Sequence, residues 1–93
     1  MVRAIVLYEG TPDPERYEQH VREFGDAVPG ATFRHGKIFG SPVGEPPFQY
    51  YAEFEWPDEE SFRTGTRSEA FLASGRDAME LGVPFKVVFA DVS

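Results

Sequence analysis

Apolar and polar positions divide this chain into alternating strand and helix segments. Val2 to Tyr8 (VRAIVLY) is a short apolar run rich in β-branched residues and predicts a first strand. A turn follows over Gly10 to Pro14. In it Asp13 is suited to cap a helix, and Pro14 suits the first helical position, where no amide donor is lost. Tyr17, Val21, Phe24 and Val28 recur at intervals of three and four, which predicts an amphipathic helix from about Pro14 to Val28, ended by Pro29 and Gly30. Ala31 to Phe39 predicts a second strand, and Gly40 to Pro47 (GSPVGEPP) a loop. Phe48 to Trp56 has the clearest period of two in the chain. Phe48, Tyr50, Ala52, Phe54 and Trp56 face one way, and Gln49, Tyr51, Glu53 and Glu55 the other. A second helical region begins at Pro57 and Asp58, with a break expected over Thr64 to Arg67 because Gly65 and Thr66 are poor helix formers. Ser68 can cap its continuation to Gly82, Pro84 bars extension, and Phe85 to Val92 predicts the last strand.

The order β-α-β-β-α-β predicts an α+β domain spanning residues 1–93, with a four-stranded antiparallel sheet and two helices on one face. The helices can cover only one side of the sheet. On the first and last strands both sides are mostly apolar: Val2, Ala4 and Val6 against Ile5 and Leu7, and Phe85, Val87 and Phe89 against Val88 and Ala90. A sheet that meets water on one side shows polar residues there, so the pattern predicts a homodimer packed sheet to sheet.

Composition narrows the function classes. The net charge is −7, and the nine basic residues are scattered, which argues against a nucleic-acid partner and against an anionic membrane surface. With no cysteine, thiolate metal sites and cysteine nucleophiles are excluded. The two histidines, His20 and His35, are 15 residues apart with no acidic motif between them, so no metal site is expected. No nucleotide-binding glycine motif and no serine-nucleophile motif occurs, and no cofactor is implied. The start of the chain lacks a basic and apolar leader and no run is long enough to span a membrane, so a cytoplasmic location is expected.

The chain resembles the EthD family, named for ethyl tert-butyl ether degradation, in four stretches. These are VLYEGTPDPERYEQH, the VPG at the end of the first helix, GEPPFQYYAEFEW followed by PDEESF, and the SEAF that opens the late helix. The resemblance implies a ferredoxin-like sandwich of the dimeric α+β barrel superfamily, with a cavity between sheet and helices. That superfamily includes cofactor-independent monooxygenases and small-molecule isomerases. The family carries a histidine near the middle of the first helix, followed by Pro-Leu; His20 stands close to that place, followed by Val21 and Arg22.

Four residues are candidates for catalysis. His20 lies about 60–70° from the centre of the first helix's apolar stripe, so it is either a proton shuttle at the cavity mouth or a half-buried boundary residue. His35 shares a strand face with Phe33 and Lys37 and is either a base lining the cavity or a satisfied sheet histidine at the dimer interface. Tyr51 and Glu53 share the polar face of the third strand. If that face lines the cavity, Tyr51 can donate to a substrate oxygen and Glu53 can act as base; otherwise they face water or pair with Arg34 or Lys37. A one-residue change of register exchanges the faces, so the pattern leaves the choice open. Two functions follow: an enzyme that moves a proton on an apolar or aromatic small molecule without a cofactor, or a non-catalytic binding or accessory protein for a partner oxidoreductase.

Overall fold

A computed structural model describes all 93 residues, Met1 to Ser93. The elements follow in the order β1 (Val2–Tyr8), α1 (Pro14–Phe24), β2 (Thr32–Lys37), β3 (Tyr50–Trp56), α2 (Glu59–Thr66), α3 (Glu69–Met79) and β4 (Phe85–Asp91). The sheet runs β2-β3-β1-β4 and every pairing is antiparallel. This is the ferredoxin-like α+β arrangement expected from the element order.

Each helix starts where a capping side chain meets an orphan amide. Asp13 accepts from the Arg16 amide at 3.0 Å, Asp58 from Ser61 at 2.8 Å, and Ser68 from Phe71 at 3.2 Å. The break in the second helical region falls after Thr66, and Ser68 restarts the chain as a separate helix. Several boundaries differ from expectation: β2 runs Thr32–Lys37 rather than Ala31 to Phe39, and α3 stops at Met79 rather than Gly82. α1 ends at Phe24 rather than Val28, with Gly25, a poor helix former, as its C-cap and its amide donating to the Val21 carbonyl. Val28 still reaches the core from the following turn and is 3% exposed. β3 begins at Tyr50 rather than Phe48, although the Gln49 amide still donates to the Tyr8 carbonyl at 2.8 Å.

The register sorts the sheet into two faces. Val2, Ala4, Val6 and Tyr8 pair with Trp56, Phe54, Ala52 and Tyr50, and all face the helices. Phe33 and His35 stand opposite Phe54 and Ala52 on the same side. The main core gathers around Trp56, which is fully buried against Phe54, Phe62 and Phe71 and donates its indole N–H to the Pro29 carbonyl at 3.0 Å. A second cluster, centred on Tyr8, Tyr17 and Ala52, occupies the other end of the sheet and carries the polar aromatic groups. No helix is long and apolar enough to cross a membrane.

Candidate functional site

α1 and α3 lie side by side over the sheet, and the candidate site is where they meet. On α3, Phe71, Ser74 and Ala78 turn toward the sheet, which leaves Asp77 on the flank that faces α1. On α1, Arg16 and His20 are one turn apart and present the same flank to Asp77. Arg16 grips the Asp77 carboxylate with both terminal nitrogens, at 2.6 and 3.2 Å, and His20 Nδ1 meets the same carboxylate at 2.6 Å. The Arg16 guanidinium, and after it His20, hold the Asp77 carboxyl below its ordinary range, so it stays ionised at neutral pH. An ionised carboxylate only accepts hydrogen bonds. Nδ1 of His20 must therefore carry a proton and donate it, and in the neutral ring this places the acceptor lone pair on Nε2.

His20 is 4% exposed, so burial is its observed environment rather than a half-exposed boundary. Its ring forms part of the wall of a partly open cavity of about 90 Å³ between sheet and helices, with Val6, Tyr8, Phe54, Phe71 and Val87 among the apolar and aromatic lining. A more open cleft of about 210 Å³ is lined by Pro14, Tyr17, Glu18, Val21, His35 and Tyr50. Tyr17 lines this cleft and packs against Tyr8 and His20 of the cavity wall. Its ring centroid is 5.5 Å from that of His20 and 5.5 Å from that of His35. Burial pushes the Tyr8 phenol up to about 12 and the Tyr17 phenol higher still, so both are hydrogen-bond donors and not anions at neutral pH.

His35 lies at the mouth of the cleft, with Nδ1 2.8 Å from the Tyr50 hydroxyl. Partial burial lowers its pKa from 6.5. The unfolded chain therefore binds a proton there before the folded chain does. His35 contributes stability that is fully present above about pH 6.5 and is lost as pH falls through its lower folded value. The same sign holds for Asp77 in a more acid window, below about pH 4. A thermal unfolding series should show a midpoint that declines below pH 6.5, and His35→Gln should flatten that first decline while leaving the acid one. An unchanged profile would show that His35 is not desolvated in the fold.

Tyr51 and Glu53 stand on the opposite side of the sheet from His20 and His35, since β3 alternates and Ala52 and Phe54 take the inner positions. The Tyr51 ring lies over Gly36, whose missing side chain makes room for it. Glu53 sits 3.3 Å from Arg3 Nε, and Glu55 is 2.7 Å from the same atom, with Arg34 3.7 Å from Glu55 on its other side. The fold thus places His20 and His35 on the helix side of the sheet, in the linings of two different cavities with Tyr17 packed against both rings, and Tyr51 and Glu53 on the other side. Sequence reasoning missed Arg16, Tyr17, Tyr50 and Asp77. The one available signal was the α3 spacing of Phe71, Ser74 and Ala78, which puts Asp77 on the margin of an inward stripe.

No family model matches the sequence, and comparison with curated proteins gives no significant match. Solved structures do match. An ethyl tert-butyl ether degradation (EthD) family protein from Bacillus halodurans C-125 aligns with TM-score 0.77 and 28% identity, covering 100% of this chain and 99% of its own. A hydroxynitrile lyase from Passiflora edulis aligns with TM-score 0.75 and 17% identity over 99% of this chain and 93% of its own. SnoaB, a cofactor-independent oxygenase from Streptomyces nogalater, aligns with TM-score 0.64 and 18% identity over 98% and 91%. The last two likenesses show the fold alone. Along its full length, then, the chain is similar in sequence and architecture to an EthD family protein, and its fold is of the ferredoxin-like α+β class.

Proposed function

We propose that this protein binds a small apolar or aromatic molecule between the sheet and helices α1 and α3, and moves a proton on it with His20 as the base. The observation that carries this reading is the 2.6 Å contact between His20 Nδ1 and an ionised Asp77, at the wall of an apolar cavity. That contact fixes the tautomer and leaves Nε2 free to take a proton from an acidic C–H group. The C–H bond breaks, the proton goes to Nε2, and the electron pair stays on the substrate as a stabilised carbanion. Return of the proton to another carbon is an isomerisation, while capture of the carbanion by dioxygen is a cofactor-independent oxygenation. The fold shared with a hydroxynitrile lyase and a cofactor-independent oxygenase supports small-molecule chemistry of this broad kind.

The reading is tested by deuterium exchange from D2O into a panel of small aryl ketones, followed by proton NMR. The protein should accelerate exchange, and His20→Gln should lower the rate by about 10²–10⁴-fold, the usual value of a positioned base. If His20→Gln exchanges as fast as the parent, His20 is not the base. If the ketones bind without any exchange, the protein is a binding or accessory module, because the pocket then holds a ligand on which the imidazole does nothing.

The same proposal includes pairing of two copies through the outer sheet face. Ile5, Leu7 and Val88 form an apolar strip there beside Tyr51, and Val88 alone is 45% exposed in the single chain. Sedimentation equilibrium should return a dimer, and Val88→Lys should shift it to monomer. A parent chain that is monomeric throughout would refute the pairing.

A further inference from the structure

Tyr17 is 4% exposed, and its hydroxyl oxygen is buried without a hydrogen-bond partner. Its ring packs against Tyr8 and His20 on the side of the inner cavity and against His35 and Tyr50 on the side of the cleft, at centroid distances of 5.9, 5.5, 5.5 and 5.0 Å. The neighbouring Tyr8 phenol is near enough for the two hydroxyls to influence each other's titration, but it does not meet Tyr17 at hydrogen-bond geometry. The charged and imidazole groups of the site are engaged. His20 and Arg16 bind Asp77, and His35 pairs with Tyr50. A buried hydroxyl left without a partner is costly, and proteins keep such groups rarely and for a reason. This one is held by burial in its protonated, donating form.

We infer that Tyr17 is a specificity-determining donor, which binds an acceptor oxygen of the ligand and makes the site select small apolar or aromatic carbonyl compounds over hydrocarbons of the same shape. This inference rests on the small-molecule reading above and names the substrate class for it. A carbonyl oxygen on the Tyr17 hydroxyl leaves the carbon acid beside the His20 ring. When His20 removes a proton from the α-carbon, the electron pair passes to the carbonyl oxygen as an enolate, and Tyr17 faces the charge as it develops. The donor acts most strongly where charge appears, so one phenol serves both selection and proton transfer.

The test uses two probes of nearly equal shape, acetophenone and α-methylstyrene, in which a carbonyl oxygen is replaced by a methylene group. Binding to the full chain is followed by NMR titration of the protein amides. The parent should hold the ketone about tenfold more tightly, the value of one net hydrogen bond of roughly 1.4 kcal/mol. Tyr17→Phe should abolish that preference and leave α-methylstyrene affinity unchanged. Without ligand, Tyr17→Phe should melt at the same or a higher temperature, since it removes an unpaired buried hydroxyl. His20→Gln should keep the preference, which separates selection from proton transfer. A preference that survives in Tyr17→Phe, or a Tyr17→Phe melting point well below the parent's, overturns the inference, the second because it shows that the hydroxyl is bonded within the fold. Equal binding of both probes to the parent overturns the inference alone. Binding of neither overturns it together with the small-molecule reading.

Discussion

Gly65→Ala is expected to destabilise the protein by about 1–3 kcal/mol, although alanine is the better helix former. Gly65 sits within α2 directly against the indole of Trp56. A Cβ there would lie 2.7 Å from Cε2 and 2.9 Å from Cζ2 of that ring, and closer still to Nε1. The ring has nowhere to retreat. It is fully buried, Phe54, Phe62 and Phe71 pack around it, and its N–H is committed to the Pro29 carbonyl. Either α2 moves away from the sheet or the indole loses its bond. Gly75 is the internal control. It also lies inside a helix, α3, but a Cβ there meets nothing within 4 Å. Gly75→Ala should therefore stabilise by about 0.5–1 kcal/mol, through the backbone entropy that glycine loses on folding. Urea unfolding of both variants reads the two signs directly. A stabilising Gly65→Ala would mean that α2 does not pack on Trp56 as described.

Asp77→Asn is expected to lower proton-exchange activity nearly as far as loss of His20 itself, by about 10²–10⁴-fold. The substitution keeps the size and shape of the side chain but changes what it asks of the imidazole. An ionised Asp77 accepts only, and so holds the Nδ1 proton in place. An amide that turns its NH2 toward Nδ1 draws the ring into the opposite tautomer, with the proton on Nε2, where a base must be free. Arg16 shapes the outcome, because its fork binds both oxygens of the carboxylate and repels the amide's NH2 group. That leaves the amide oxygen to Arg16 and the NH2 to His20. The ligand-selectivity role of Tyr17 should be untouched. An Asp77→Asn variant with parental exchange rates would show that the tautomer of His20 does not limit the reaction.

How much of this was legible beforehand depends on the range of the interaction. The three helix caps, Asp13, Asp58 and Ser68, were readable because capping is a contact three residues long. The alternation of β3 was readable because a sheet repeats every two residues, and it correctly grouped Tyr50, Ala52, Phe54 and Trp56. The ends of α1, β2, β3 and α3 moved by a few residues, because the end of an element is its least strongly patterned part. The site was the least legible part. His20 looked peripheral on a stripe drawn for one helix over a sheet. Two helices lying side by side bury a flank as well as a base, and the flank is where His20 and Asp77 meet. Their pairing spans 57 residues of sequence, and nothing local to either announces it. The placement of Tyr51 and Glu53 turned on which side of the sheet the helices choose. The alternation of β3 is silent on that, because it sorts residues into two faces without labelling them.

The central claim is that His20 is a base poised by Asp77, with its proton on Nδ1 and its Nε2 free. Nitrogen-15 NMR of the histidine-labelled protein at neutral pH tests this most directly, because the two tautomers give distinct ring-nitrogen shifts. The account predicts that His20 is neutral, protonated on Nδ1 and unprotonated on Nε2, and that Asp77→Asn reverses the pattern. A His20 protonated on Nε2 in the parent, or a tautomer indifferent to Asp77→Asn, would contradict it.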